Sequence, residues 1–160
     1  MLSAAARMKF EAGDRNALVP PVAAAMLEIL VAHGVSPKGK RAIVIGSGHL
    51  VGKPCAELLS HEGADVAIVS FRAGDFSALS NADIVVSGVG SPHFIKPEML
   101  KNGAVLIDAG TSESGGAVAG DADPSCAQRC SVFTPVPGGV GPVAVAKLFE
   151  NAVMLTELNV

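Results

Sequence analysis

Three observations predict an α/β fold, doubly wound around a mostly parallel sheet in a single domain. From residue 41 onward, short runs rich in Val, Ile and Ala alternate with helical stretches. Hydrophobic residues make up 49% of the 160 and aromatic residues only 4%, with no Trp and no Tyr. That aliphatic balance suits strands buried on both faces and closely packed helices. A glycine-rich turn also joins the first strand to the helix after it. Strands separated by helices imply right-handed crossovers and a sheet covered on both faces.

Taken in order, residues 1–16 read as a short helical or irregular arm containing "EAGDRN". "ALVPPVAAAMLEILVAHG" predicts a helix entered through proline and stopped at Gly34, with "SPKGK" as a connector. "RAIVIG" (41–46) is a buried strand and "VGKPCAELLSHEG" (51–63) the helix after it. "ADVAIVS" (64–70) is a second strand and "GDFSALSNA" a short helical return. "DIVVSGVG" (83–90) and "AVLIDAG" (104–110) are the third and fourth strands, with one turn of helix in "KPEMLKNG" between them. "SVFTP" offers a fifth strand, and a helix over about residues 142–157 closes the chain.

Composition narrows the function classes. The formal net charge of -3 gives no electrostatic footprint for nucleic acid or acidic membranes. No run reaches the roughly 18 apolar residues that a membrane-crossing helix needs, and the first sixteen residues lack a signal-peptide core. The expectation is a soluble cytoplasmic protein. Cys55, Cys126 and Cys130 are too few for a disulfide framework. "CAQRC" lacks the second ligand pair that a structural metal site needs, so no metal is expected.

"IVIGSGHLVGKP" carries the first chemistry. A hydrophobic strand runs into Gly46, Ser47 and Gly48, and then Val51 and Gly52 open a helix. The spacing is one residue longer than the usual dinucleotide fingerprint, with the same physics: glycines permit a tight turn, and helix N-terminal amides receive a pyrophosphate, the alternative being a turn that merely connects strand to helix. The fold expectation becomes Rossmann-type. After the second strand, "VSFRAGD" offers Ser70 and Arg72 with no acid before Asp75. Arg72 either meets a 2′-phosphate, lies over an adenine or is a solvated surface residue, so NADP and NAD both stay open. "GVGSP" and "DAGTSE" put Val89, Gly90, Gly110 and Thr111 at the carboxyl ends of the third and fourth strands, where open parallel sheets bind ligands; taken singly, each cluster also reads as ordinary strand-to-loop punctuation.

Four segments in order carry a resemblance: "VIGSGHLVGKP", "ADIVVSGVGSPHFIKPEMLKNGAVLIDAGTSE", "VAGDAD" and "FTPVPGGVGPVAVAKLFENAV". Together they closely resemble the NAD(P)-binding domain of the bifunctional methylenetetrahydrofolate dehydrogenase/methenyltetrahydrofolate cyclohydrolase family, over roughly residues 17–158. The resemblance implies oxidation of 5,10-methylenetetrahydrofolate with NADP or NAD, and hydrolysis of 5,10-methenyltetrahydrofolate to 10-formyltetrahydrofolate. It also implies a homodimer formed through this domain and a folate cleft completed by another lobe. Pro137, Gly138 and Gly139 match the wall where folate meets the nicotinamide. The domain reading is then an arm (1–16), a linker helix and connector (17–40), the cofactor domain (41–140) and a C-terminal linker helix (141–160), with uncovered faces expected on both linker helices.

Departures accompany the resemblance. The family commonly has G-R-S at the phosphate loop, where Ser47 and Gly48 stand here, and a Met-Thr pair where Val143 and Ala144 stand. Its "H-S-R/K-T" after the second strand survives only as Arg72. The family's first domain carries its catalytic lysine and tyrosine, and no tyrosine is present here. His33, His49, His61 and His93 form no catalytic pairing and read as surface residues, so no catalytic residue is assigned. The expectation is a cofactor half that is incomplete for catalysis alone. The alternatives are a stand-alone nucleotide-binding or regulatory module without folate chemistry, or an unrelated small dehydrogenase of the same fold.

Overall fold

The computed structural model describes residues 4–14 and 17–157, so the outer parts of the expected arm and of the last helix lie outside the described residues. The arm is a helix, α1 (Ala4–Glu11), whose Phe10 is buried. The proline-led helix is α2 (Pro21–Ala32); proline at its first turn sacrifices no intrahelical bond. It ends at Gly34, whose φ of +68° lets the Val35 N–H return to the Leu30 carbonyl at 2.8 Å.

Five strands, β1 (Arg41–Ile45), β2 (Asp65–Val69), β3 (Ile84–Ser87), β4 (Val105–Asp108) and β7 (Val132–Phe133), form one parallel sheet in the order β2-β1-β3-β4-β7. All of β3 and β4, and all of β1 after Arg41, is buried, which explains their unbroken apolar runs. The helix between β1 and β2 is α3 (Gly52–His61). Sequence reading missed a separate antiparallel hairpin, β5 (Ser112–Ser114) with β6 (Ala117–Ala119).

The two faces of the sheet are covered differently. On one face Ala42, Val44, Ile84, Val86 and Ile107 pack under α1, α2 and α3 and the start of α4 (Val140–Glu157). On the other, Ile43, Ile45, Val85 and Leu106 lie beneath short 3-10 turns that contribute Leu79, Leu100 and Cys126. The expected helical return after β2 is such a turn (Ser77–Asn81). Phe71, Phe76 and Phe94 stack over this thinner side, with Phe71 and Phe94 centroids 4.9 Å apart.

The two linker helices are covered to different extents, and α2 leaves Val31 exposed. The core-facing side of α2 is covered, because Ala23, Ala25, Met26 and Leu30 are fully buried. Helix α4 carries the longer uncovered stripe, with Val145, Leu148, Phe149 and Val153 exposed. The two helices are tied by Lys147 Nζ to Glu28 Oε2 at 3.2 Å, and Asn151 Nδ2 of α4 donates to the Val19 carbonyl just before α2 at 2.9 Å.

Candidate functional site

Register puts the strand ends level. Val69 pairs with Ile45, Ile45 with Ser87, and Ser87 with Asp108. The residues that follow, Ser70, Gly46, Gly88 and Ala109, therefore leave the sheet along one edge. In open parallel sheets that edge binds ligands, at the point where strand order reverses. Here the reversal lies between β1 and β3.

At that point the chain makes the glycine turn. Gly46 has a φ of +87°, and its N–H donates to the Val69 carbonyl at 2.9 Å. A Cβ on Gly46 would stand 2.8 Å from Val89 Cγ1, and one on Gly52 would overlap the Gly46 carbonyl. The start of α3 is thus pressed onto the turn with no room for a side chain. Val51 precedes that helix and makes no side-chain cap, so no side-chain oxygen occupies its N-terminal amides. The Lys53 N–H is taken by the Gly48 carbonyl at 3.0 Å and Pro54 has none, so Val51 and Gly52 carry the amides left at this helix start, behind two close-packed glycines, for a pyrophosphate. Ser47, Gly48 and His49 are exposed on the outer side of the turn.

The β3 and β4 turns stack beside it. Val51 packs against Gly88, where a Cβ would overlap its side chain, and a Cβ on Gly90 (φ +73°) would lie 3.6 Å from the Thr111 carbonyl. Gly110, Thr111, Pro137 and Gly139 line one cleft of about 280 Å³, with Val22 and Val118 at its sides. Gly138 (φ +104°) forms the corner behind a cis Val136–Pro137 peptide, and Gly139 N–H donates to the Pro135 carbonyl at 2.7 Å. Ser70 and Arg72 stand apart, exposed at the end of β2. Arg72 has no ion pair or hydrogen bond among the described residues.

A buried polar network missed by sequence reading fixes these turns. Asp121 accepts from Ser87 Oγ at 2.6 Å and from the N–H groups of Val89 and Ser91, each at 2.8 Å. Asp108 accepts from the N–H groups of Gly110, Asp121 and Ala122 at 2.9, 3.2 and 2.8 Å. Thr134 Oγ1 accepts from the Asp108 N–H at 2.7 Å, joining the "TPVPGG" corner to β4. Burial raises the Asp108 pKa; its three backbone N–H partners oppose that rise and the nearby Asp121 charge adds to it. The available signal was an acid closing the apolar run "VLID" and another flanked by small residues in "AGDA".

Among the histidines, His33, His49 and His61 are exposed as expected. His93 departs from its surface reading: it is half-buried, has a φ of +55°, and its N–H donates to the Gly120 carbonyl at 3.0 Å. Burial pushes the Cys126 and Cys130 thiols up to about 11, which leaves them protonated near neutral pH. Among the described residues, no group of three or more His, Cys, Asp or Glu is placed to share a metal ion. Nor is any helix there long and apolar enough to cross a membrane. A second cleft, of about 300 Å³, lies on the helix side of the glycine turn between Phe10, Pro21, Leu50 and Pro54. Its cation, Lys53, is already paired with Glu11 at 2.9 Å and Glu57 at 3.6 Å.

Comparison with known proteins agrees with this layout. A family model described as the NAD(P)-binding domain of tetrahydrofolate dehydrogenase/cyclohydrolase matches residues 20–160. The bifunctional protein FolD of Campylobacter concisus is 36% identical over 148 residues, covering 91% of this chain and 52% of the relative. That of Wolinella succinogenes is 41% identical over 135 residues, covering 82% and 47%. The crystal structure of the bifunctional FolD enzyme from Campylobacter jejuni superposes with a TM-score of 0.91 at 29% identity, over 96% of this chain and 56% of the other. FolD of Trypanosoma brucei, complexed with NADP cofactor and inhibitor, superposes with a TM-score of 0.87 at 35% identity, over 95% and 55%. The chain spans about half the length of the curated relatives it matches.

Proposed function

The chain belongs to the tetrahydrofolate dehydrogenase/cyclohydrolase family through its NAD(P)-binding domain, and we propose that it forms the cofactor side of a folate site. In this reading 5,10-methylenetetrahydrofolate is oxidised with NADP or NAD, and the methenyl product is hydrolysed to 10-formyltetrahydrofolate. When bound, the nicotinamide supplies the hydride acceptor. Gly46, Ser47, Gly48, Val51 and Gly52 hold the pyrophosphate, and Ser70 and Arg72 take the adenosine end. Val89, Gly90, Gly110 and Thr111 border the nicotinamide, and Pro137, Gly138 and Gly139 form the wall for the folate ring. Residues 41–140 act as the cofactor domain, with 17–40 and 141–160 as linkers to a second lobe. We place the protein in the cytoplasm as a homodimer formed through this domain.

One observation supports the reading above all: a cleft lined by Gly110, Thr111, Pro137 and Gly139 lies along the same sheet edge as a helix start without a side-chain cap on a close-packed glycine turn. The acid–base groups come from outside these residues in this account. Asp108, the carboxylate lining the cleft, is already occupied by three N–H donors. The same occupancy favours a second reading, a nucleotide-binding module without folate chemistry. Calorimetric titration of NADP and NAD, followed by a spectrophotometric assay of methylenetetrahydrofolate oxidation, separates the two. The first reading expects saturable binding, with turnover appearing when a family catalytic lobe is supplied. Binding that never supports turnover favours the second, and binding of neither nucleotide removes both.

A further inference from the structure

Asp121 is fully buried, and its carboxylate reaches back across the fold to residues 87–91. All three of its partners there are donors. Turning the Val89 and Ser91 amides inward leaves Gly90 between them, exposed at φ +73° on the ligand edge. From the opposite side the same turn is pressed by the glycine turn, through Val51 on Gly88 and Val89 against Gly46. Space for the carboxylate exists because residue 110 is glycine: a Cβ there would overlap the Asp121 carboxyl. The backbone of Asp121 is itself aimed by Asp108, which accepts its N–H and that of Ala122.

We propose that Asp121 is a positioning residue of the dinucleotide site, clamping the Gly88–Ser91 turn so that it presents a fixed backbone edge to the nicotinamide half of the cofactor. The inference rests on the cofactor reading above. A carboxylate is needed rather than any polar group of its shape. An amide offers one acceptor and one donor, so whichever way it turns, its NH₂ faces the N–H of Val89 or of Ser91. One buried backbone donor is then left unpaired, and the turn must shift to satisfy it. The adenosine end, bound beyond β1 at the end of β2, lies on the other side of the glycine turn and does not feel that shift.

The test compares whole and half ligands on the wild type and Asp121→Asn. NADP and NAD are titrated calorimetrically. AMP and adenosine 2′,5′-bisphosphate are followed through the amide resonances of Ser70 and Arg72. The inference expects dinucleotide affinity to fall about tenfold, equivalent to about 1.4 kcal/mol, with the half-ligand affinities unchanged. A purely architectural role would move both ligand sets together or neither, and either result overturns the inference. If the wild type binds no dinucleotide, the cofactor reading fails and takes this inference with it. Should Asp121→Asn not fold, Ser87→Ala decides: it removes one donor and leaves both backbone bonds in place. The expectation is then a few-fold loss for the dinucleotides alone, and an equal loss for the half-ligands, or no loss for either set, overturns the inference.

Discussion

Gly48 and Gly52 belong to the same sequence motif, yet the structure assigns them opposite responses to a single methyl group. A Cβ at Gly52 would overlap the Gly46 carbonyl oxygen and stand 2.7 Å from its carbon and 3.1 Å from the Ser47 nitrogen. Those atoms are backbone, so no rotamer change relieves the overlap; the helix start and the turn must separate. Overpacking of this kind costs about 2 kcal/mol, which lowers the melting temperature by about 4–8 °C in a chain of this size. At Gly48 nothing lies within 4 Å of the added atom, and its φ is not in the left-handed region. Gly48→Ala therefore leaves stability unchanged or raises it by about 0.4–1 kcal/mol, through the unfolded chain. Thermal unfolding of both variants, with dinucleotide titration of each, is the assay. Gly52→Ala should lose both stability and nucleotide affinity, and Gly48→Ala should keep its stability. Equal melting temperatures for the two would refute the claim that close packing of the turn requires glycine at 52.

The Asp108 carboxyl, raised by burial, should titrate above the ordinary aspartate value of about 3.9 in a carbon-detected NMR titration. Its contribution to stability is full below that value and is lost as pH rises through its own pKa; a midpoint below the ordinary value would contradict the burial argument. Arg72→Ala should weaken NADP binding by about tenfold while leaving NAD within about twofold, if the free guanidinium meets a 2′-phosphate. An equal effect on both would show that Arg72 serves the adenine or nothing. Phe149, 68% exposed on the apolar stripe of α4, should drive self-association of the isolated chain. Sedimentation should then show Phe149→Glu more monomeric than the wild type, and an unchanged distribution would clear the stripe of that role.

What the sequence disclosed, and what it hid, follows from the range of the forces involved. The strands of the parallel sheet were legible because burial on both faces leaves unbroken runs such as "AIVI" and "IVV". The glycine turn was legible because its geometry is local, within seven residues of chain from Gly46 to Gly52. The β5–β6 hairpin went unread although Gly115 and Gly116, at φ +60° and +81°, form the two-residue turn that "SGGA" advertises. Its strands are three residues long and mostly exposed, so alternation had no length in which to show. The Asp121 clamp left only a weak trace. Two of its three partners are main-chain amides some thirty residues earlier, and backbone donors carry no sequence identity. The cover on the core-facing side of α2, at Met26 and Leu30, was hidden for the same reason, since it comes from elements distant in the chain.

The central claim is that a dinucleotide lies along the carboxyl edge of this sheet, across the glycine turn. An amide NMR titration of the ¹⁵N-labelled chain with NADP and NAD tests it most directly. Saturable shifts are expected at Gly46, Ser47, Gly48 and Gly52, extending to Ser70 and Arg72 on one side and to Gly90, Gly110 and Thr111 on the other. Shifts confined to the cleft around Phe10 and Leu50, or none with either nucleotide at millimolar concentration, would contradict it.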